Sequence, residues 1–287
     1  HQWLDHYLLG EDNGIDTRKR VNTIVLNTRK RESYDDFPVH DTTAVFNLNP
    51  EPGTQGGSLD EDSTPATEET LSFDTTGFIT FGGWVTGALD HSSRILDLAK
   101  AEDRYGLMFK SQTLSSPLHL RGEAKVKISA LTQDKAQYFA YLFFLNPETG
   151  KANWVGHAPF SCHNSEGCGL NPGEPEEITL DFYWTAVDLP AGSQVLLVIY
   201  SNDPDYWRYA TSPETSTVIM GPEHPAVLEM PLVSVPAKFD DPVITEEDMS
   251  RSANGSGGNF DGGNGAGAFG WWMLLPTLLF MARRRAR

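Results

Sequence analysis

The sequence lacks the motifs that mark most hydrolytic and nucleotide-handling sites. It contains no G-x-S-x-G and no S-x-x-K, so no local arrangement offers an activated serine. Its eight histidines, at positions 1, 6, 40, 91, 119, 157, 163 and 224, are scattered, and no H-E-x-x-H or comparable pair supplies zinc ligands. No glycine loop followed by lysine is present to cradle a phosphate. Basic residues are scarce: 22 Lys and Arg stand against 39 Asp and Glu, a formal charge of −17. A body this acidic is repelled by phosphate backbones, so nucleic acid is not expected as a partner. Neither a metal nor a cofactor is expected. The acidic stretches Asp60-Glu61-Asp62 and Glu174–Glu177 sit between periodic segments and read as solvated loops, with a calcium site as the lesser alternative.

Cysteine is nearly absent as well. The two present, Cys162 and Cys168, lie six positions apart around His163. The spacing is not C-x-x-C and His163 has no partner histidine nearby, which disfavours metal or redox chemistry. A disulfide closing a short surface loop is the better reading if the chain is exported. The opening residues do not read as a leader peptide, because His1-Gln2-Trp3-Leu4 is neither a basic n-region nor an apolar h-region.

What the chain does contain is a core-forming composition, 39% hydrophobic and 11% aromatic. Residues His1 to Gly10 have Trp3, Leu4, Tyr7 and Leu8 at helical spacing, with Gly10 as a stop. A short turn or helix is expected at Ser92–Ala101. The remainder reads as strands bounded by turn residues: Val21–Thr28, Thr43–Leu48, Tyr105–Ser111, Glu123–Leu131, Gln137–Asn146, Ala152–Ala158, Glu177–Trp184, Gln194–Ser201, Thr215–Met220 and Ala226–Val233. In Glu123–Leu131, Ala124, Val126, Ile128 and Ala130 alternate with Lys125, Lys127 and Ser129, the mark of a half-buried antiparallel strand. Gln137–Asn146 is apolar on both faces and is expected to be central. About ten short strands without βαβ alternation indicate a mainly β, jelly-roll sandwich.

The last 33 residues have a different logic. A glycine-rich linker, including Gly257, Gly258, Gly262 and Gly263, precedes an uncharged run from Gly265 to Ala282. The chain then ends on Arg283, Arg284, Arg285, Ala286 and Arg287. Eighteen residues at roughly 1.5 Å each span about 27 Å, enough to cross a hydrocarbon core, and the arginines stop translocation. This order of parts resembles the GlyGly-CTERM sorting signal of Gram-negative bacteria. That resemblance implies export, a rhomboid-type protease that cuts near the glycines, and a final location at the cell surface or in the membrane. An ordinary membrane anchor is the alternative. An export tail without a leader leads us to expect a C-terminal piece of a longer protein.

The body also resembles a known family. His1-Gln2-Trp3-Leu4-Asp5-His6-Tyr7-Leu8-Leu9-Gly10 is similar to the last helix of the α/β-hydrolase domain in the Xaa-Pro dipeptidyl-peptidase and cocaine-esterase-like family. Val45–Leu48 followed by Gly56-Gly57-Ser58-Leu59 resembles the crossover into that family's second domain, a strand leading to a turn. Leu71–Asp74, Gly82-Gly83, Asp90–Arg94 and Asp103–Tyr105 match the order of a long loop before the jelly roll. Leu107–Ser111 through Arg121-Gly122, Ala191–Leu196, Ser201–Pro204 and Gly221–Pro225 resemble its later strands and turns.

The resemblance implies four segments. These are a hydrolase helix over residues 1–20, a jelly roll (galactose-binding-like) over 21–235, a linker over 236–264 and a transmembrane sorting segment over 265–287. It implies an accessory role beside an upstream α/β-hydrolase domain that carries the serine triad, so no residue here is assigned as catalytic. The loop holding Gly82, Gly83, Trp84, Val85, Asp90 and Arg94 is the candidate wall of the substrate cleft, and a plain interface loop is the alternative. Two competing functions stay open: a carbohydrate-binding module, with Trp154, Trp184 and Trp207 as candidate stacking residues although Trp184, embedded in a strand, reads more readily as core, and a structural spacer.

Overall fold

The computed structural model describes residues 2–75, 95–96, 106–132, 136–146, 148–149, 151–166, 168–171, 173–201 and 215–239. They form a mainly β sandwich with one short α-helix. The helix α1 (Gln2–Leu9) ends at Gly10, which takes φ 74 and donates its N–H to the His6 carbonyl at 3.0 Å. Only glycine adopts that left-handed conformation without a Cβ penalty, hence the stop. No residue of α1 is buried. A single 3-10 turn at Ile15–Thr17 follows, and Arg18 reaches back to the Gln2 side chain at 2.9 Å.

The run Val21–Thr28 is not one strand. It is β1 (Val21–Ile24), which turns and pairs antiparallel with β2 (Arg31–Tyr34), Val21 opposite Tyr34 and Ile24 opposite Arg31. The Val25 N–H bonds the Lys30 carbonyl at 2.8 Å, and Arg29 sits at φ 58. A turn built on Asn27 and a left-handed arginine carries no glycine or proline, so its composition hid it.

Fourteen further strands form one hydrogen-bonded sheet that folds over on itself. They are β3 (Thr42–Pro50), β4 (Gly56–Asp60), β5 (Glu69–Asp74), β6 (Ile95–Leu96), β7 (Gly106–Ser111), β8 (Leu118–Gly122), β9 (Lys125–Leu131), β10 (Gln137–Leu145), β11 (Ala152–Ser161), β12 (Pro175–Asp181), β13 (Thr185–Leu189), β14 (Gln194–Tyr200), β15 (Thr215–Met220) and β16 (Val227–Leu232). On one side β12 borders β9, whose other edge is shared end to end by β15 and β16. On the other, β7, β14, β10, β11 and β6 pair in that order. β3 pairs with β16 along its first half and with β4 along its last residues, and β4 runs parallel to β7, which carries the ladder from one layer to the other. β12 packs across β10 and β11 without pairing to them, which closes a single core.

The two sequence patterns that were strongest give the two best-placed strands. β10 lies between β11 and β14, and every residue from Tyr138 to Phe144 is buried. In β9 the expected face of Val126, Ile128 and Ala130 is buried. Ser129, expected on the wet face, is buried too, because β12 and β15 flank it at Glu177 and Ile219. β4 occupies the expected Gly56–Leu59 turn, β5 lies in the expected long loop, and the strand expected at Glu177–Trp184 is β12, which starts earlier at Pro175 and stops at Asp181, with β13 beginning only at Thr185. In the expected helix or turn Ser92–Ala101, Ile95–Leu96 is a strand paired with β11. For β5, β6 and β12 the pairing partner is distant in sequence, so no local pattern reports it.

Cys162 and Cys168 form a disulfide. The loop it closes is tied to the sandwich by Glu176, which accepts the Gly169 N–H at 3.0 Å and the Thr132 hydroxyl. Among the described residues no helix is long and apolar enough to cross a membrane. The glycine linker, the apolar run Gly265–Ala282 and the terminal arginines lie outside the described residues.

Candidate functional site

The expected cleft loop, with Gly82, Gly83, Trp84, Val85, Asp90 and Arg94, lies outside the described residues, as do Trp207 and the sorting glycines. Two constellations that no local motif announced occupy the described part. Both are built where the β1–β2 hairpin meets the sandwich.

The first is a buried ion network. In β8 both faces are covered at Leu120, Arg121 and Gly122, and the Arg121 guanidinium is fully buried. All five of its N–H donors are used. Nε bonds Glu32 Oε2 at 2.6 Å, and one Nη2 proton goes to Glu32 Oε1 at 2.7 Å. The other Nη2 proton goes to Asp188 Oδ1 at 2.8 Å, while Nη1 serves the carbonyls of Leu120 at 2.8 Å and Val187 at 3.0 Å. Glu32 comes from β2, Arg121 from β8 and Asp188 from β13, so one fork clamps the hairpin onto a strand pair. His119 Nδ1 lies 2.8 Å from Asp188 Oδ1, and Tyr34 donates its hydroxyl to Glu32 Oε2 at 2.7 Å. The Leu26 N–H bonds the Ala186 carbonyl at 2.8 Å, and the Asn27 amide bonds both backbone groups of Asp188, which extends the clamp to the hairpin turn.

The electrostatics agree with the geometry. Burial works against the charge on Arg121, yet the hydrogen bonds from Glu32 and Asp188 raise its pKa above the ordinary arginine value. Burial likewise opposes charge on Asp188, but the His119 and Arg121 hydrogen bonds hold its carboxyl below the usual range. Tyr34 is pushed up to about 12, by burial first and then by its bond to Glu32. A pKa raised in the fold means that the neutral phenol is favoured there. Its contribution is therefore complete below pH 10 and is lost as pH rises toward 12. The Tyr34→Phe variant should be less stable than the parent by about 1 kcal/mol at neutral pH. Urea titrations between pH 9 and 12 should show that difference shrinking; a constant difference would mean Tyr34 is not linked to the fold in this way.

The second constellation is a groove of about 620 Å³ along the hairpin. Ile24 and Leu26 form one wall, Trp154 and Phe144 come from β11 and β10, and Tyr183 and Trp184 precede β13. Tyr183 is 62% exposed and Ile24 49%, and Phe37, 59% exposed, meets Trp184 edge-on with ring centroids 5.9 Å apart. Trp154 and Trp184, two of the candidate stacking residues, thus share one groove, and Trp184 is half-buried rather than in the core. Among the described residues no group of three or more His, Cys, Asp or Glu is placed to hold a metal ion.

No residue type at a fixed spacing revealed the ion network, since Glu32 and Arg121 are 89 positions apart and Arg121 and Asp188 are 67. A lone arginine between apolar positions in Leu118–Gly122 was the one local hint of a buried charge.

Comparison with known proteins bears on the same region. No curated protein matches the chain by sequence. The fold is similar to that of a CocE/NonD family hydrolase from Staphylococcus aureus, at 13% identity and TM-score 0.57, covering 81% of this chain and 45% of that one. An aminopeptidase from a marine sediment archaeon, Thaumarchaeota archaeon, matches at 16% identity and TM-score 0.57, covering 81% and 43%. An α-amino acid ester hydrolase matches at 16% identity and TM-score 0.56, covering 80% and 43%. The chain thus spans less than half the length of these structures. Residues 13–229 match the model of the X-Pro dipeptidyl-peptidase C-terminal non-catalytic domain, and the chain belongs to that family.

Proposed function

We propose that this chain is the C-terminal accessory jelly roll of a secreted, surface-attached serine hydrolase of the Xaa-Pro dipeptidyl-peptidase or acyl-esterase kind. In this reading it packs on an upstream α/β-hydrolase domain that holds the catalytic triad, and α1 is that domain's last helix. The observation that carries it is the state of α1. Trp3 is 59% exposed, Leu8 73% and Leu9 71%, and the helix buries nothing. An eight-residue helix with that much apolar surface is a piece of a larger core, since short helices owe their stability to packing. Membership of the family and the fold shared with longer hydrolases support the same reading.

The loop around Gly82, Gly83, Trp84 and Arg94 lines the substrate cleft in this proposal. The linker–apolar run–arginine order of the tail supports export, cutting by a rhomboid-type protease and presentation at the surface of a Gram-negative cell. The Cys162–Cys168 disulfide fits an oxidising compartment.

The test is Leu8→Asp. In the 287-residue chain it should change stability by less than about 0.5 kcal/mol, because the side chain touches little. In the protein extended by its upstream sequence it should cost more than about 2 kcal/mol by burying a carboxylate. Equal, small effects in both would overturn the proposal.

A further inference from the structure

Charge in this chain is unevenly placed. The molecule carries −17 overall, yet Arg29, Lys30 and Arg31 stand together on the exposed turn of the β1–β2 hairpin. Arg31 lies over the Phe239 ring, its guanidinium carbon 5.5 Å from the centroid, while Arg29 and Lys30 enter no ion pair among the described residues. The same turn supplies Leu26 to the groove wall. Apolar surface and a basic edge are therefore adjacent on one element, and the element is held from two sides: Glu32, just past the turn in β2, is gripped by Arg121, and Asn27 within the turn is bonded to Asp188.

We propose that this groove is a preformed seat for a segment of the upstream hydrolase domain, an aliphatic side chain or two flanked by carboxylates. The proposal rests on the domain reading above and adds where the second contact lies and what chemistry it takes. Three observations select this occupant. The groove is walled by Ile24, Leu26, Tyr183 and Trp184, with Ile24 and Tyr183 about half exposed or more, and such aliphatic and aromatic surface calls for apolar cover. The basic edge in an otherwise acidic molecule selects carboxylates on the partner by complementarity. Finally, only residues 10–20 separate the uncovered helix from the hairpin, and that link is braced at both ends: Arg18 Nη1 donates to Gln2 Oε1 at 2.9 Å and Lys19 Nζ to the Ser33 carbonyl at 3.5 Å. A body that covers α1 is thereby connected, over one short loop, to the hairpin.

Two of the groove's amides are already committed within the chain. Asn27 spends its side-chain amide on Asp188, and Asn153 donates to the Lys151 carbonyl at 3.1 Å. Carbohydrate is an outcome that the experiment must separate.

Hydrogen exchange measured on the 287-residue chain and on the protein with its upstream sequence provides the test. Amides of the hairpin turn and of residues 183–187 should exchange about 10-fold or more slowly in the longer protein. Reversing the basic edge, Arg29→Glu with Lys30→Glu, should abolish most of that protection, whereas Lys110→Glu on β7 should leave it intact. Protection of α1 without protection of the groove would overturn the groove assignment and leave the domain reading standing. No protection at either place would remove both. Protection of the groove in the 287-residue chain by xylo- or galacto-oligosaccharides, and not by the upstream domain, would overturn the assignment in favour of a glycan site.

Discussion

Replacing Arg121 with leucine should destabilise the sandwich by about 3–5 kcal/mol, the usual cost of removing one partner from a buried ion network. The loss is large because of what stays behind. Among the described residues the Glu32 carboxylate, whose side chain is 3% exposed, keeps only the Tyr34 hydroxyl, and the Leu120 and Val187 carbonyls lose donors in the same step. Arg121→Lys should recover little, since an ammonium has three donors and cannot span Glu32, Asp188 and two carbonyls at once. Replacing both charges, as Arg121→Leu with Glu32→Leu, should cost less than the single change, because the orphaned carboxylate goes too. The pH dependence has a definite sign. Asp188 is held below its ordinary value of 3.8 in the fold, so its share of the stability is present above that pH and is lost as pH falls through the lowered value. In the Arg121→Leu variant Asp188 loses one of the partners that hold its carboxyl low, and the gap to the parent should narrow from pH 7 to pH 4. Urea unfolding at both values measures it; a gap under about 1 kcal/mol at pH 7 would show that the network is not essential to the fold.

A single methyl at Gly56 should be as damaging. Gly56 has φ 151, outside the range that side-chain-bearing residues adopt freely, and a Cβ there would lie 1.8 Å from the Met108 carbonyl oxygen. That oxygen belongs to β7, the strand with which β4 pairs in parallel, so relief requires separating the two strands that join the layers. The Gly56 carbonyl also accepts the Glu51 N–H at 2.8 Å, which fixes the turn from the other side. We expect Gly56→Ala to cost about 4 kcal/mol or more. Gly53→Ala is the control. Its φ of 80 is equally unusual, but nothing lies within 4 Å of the added carbon, so only backbone strain of about 1–3 kcal/mol should appear. Similar losses in the two variants would show that the close approach to Met108 is not what requires glycine.

Clean periodicity was the sequence's most informative property. The two-sided apolar run at Tyr138–Phe144 can satisfy its surface only between two strands and two covers, and β10 is placed so. The alternation through Val126, Ile128 and Ala130 required one buried face. Cys162 and Cys168 lie close enough along the chain to meet whatever the rest does, and they do. The family likewise showed in the order of short motifs, each weak alone.

Everything that joins distant segments was invisible there. Glu32, Arg121 and Asp188 are unremarkable charges in three separate runs, and only the docking of β2 against β8 and β13 turns them into one buried network. The groove has the same origin: Leu26 read as part of a strand and Trp184 as core until the hairpin turn set one opposite the other. Local propensity and alternation decide which residues become strands and which faces are apolar, because those follow from backbone and side-chain geometry over a few positions. Which strands pair, which charge is enclosed and which apolar face is left uncovered depend on contacts between residues far apart in the chain, and those only the tertiary structure decided.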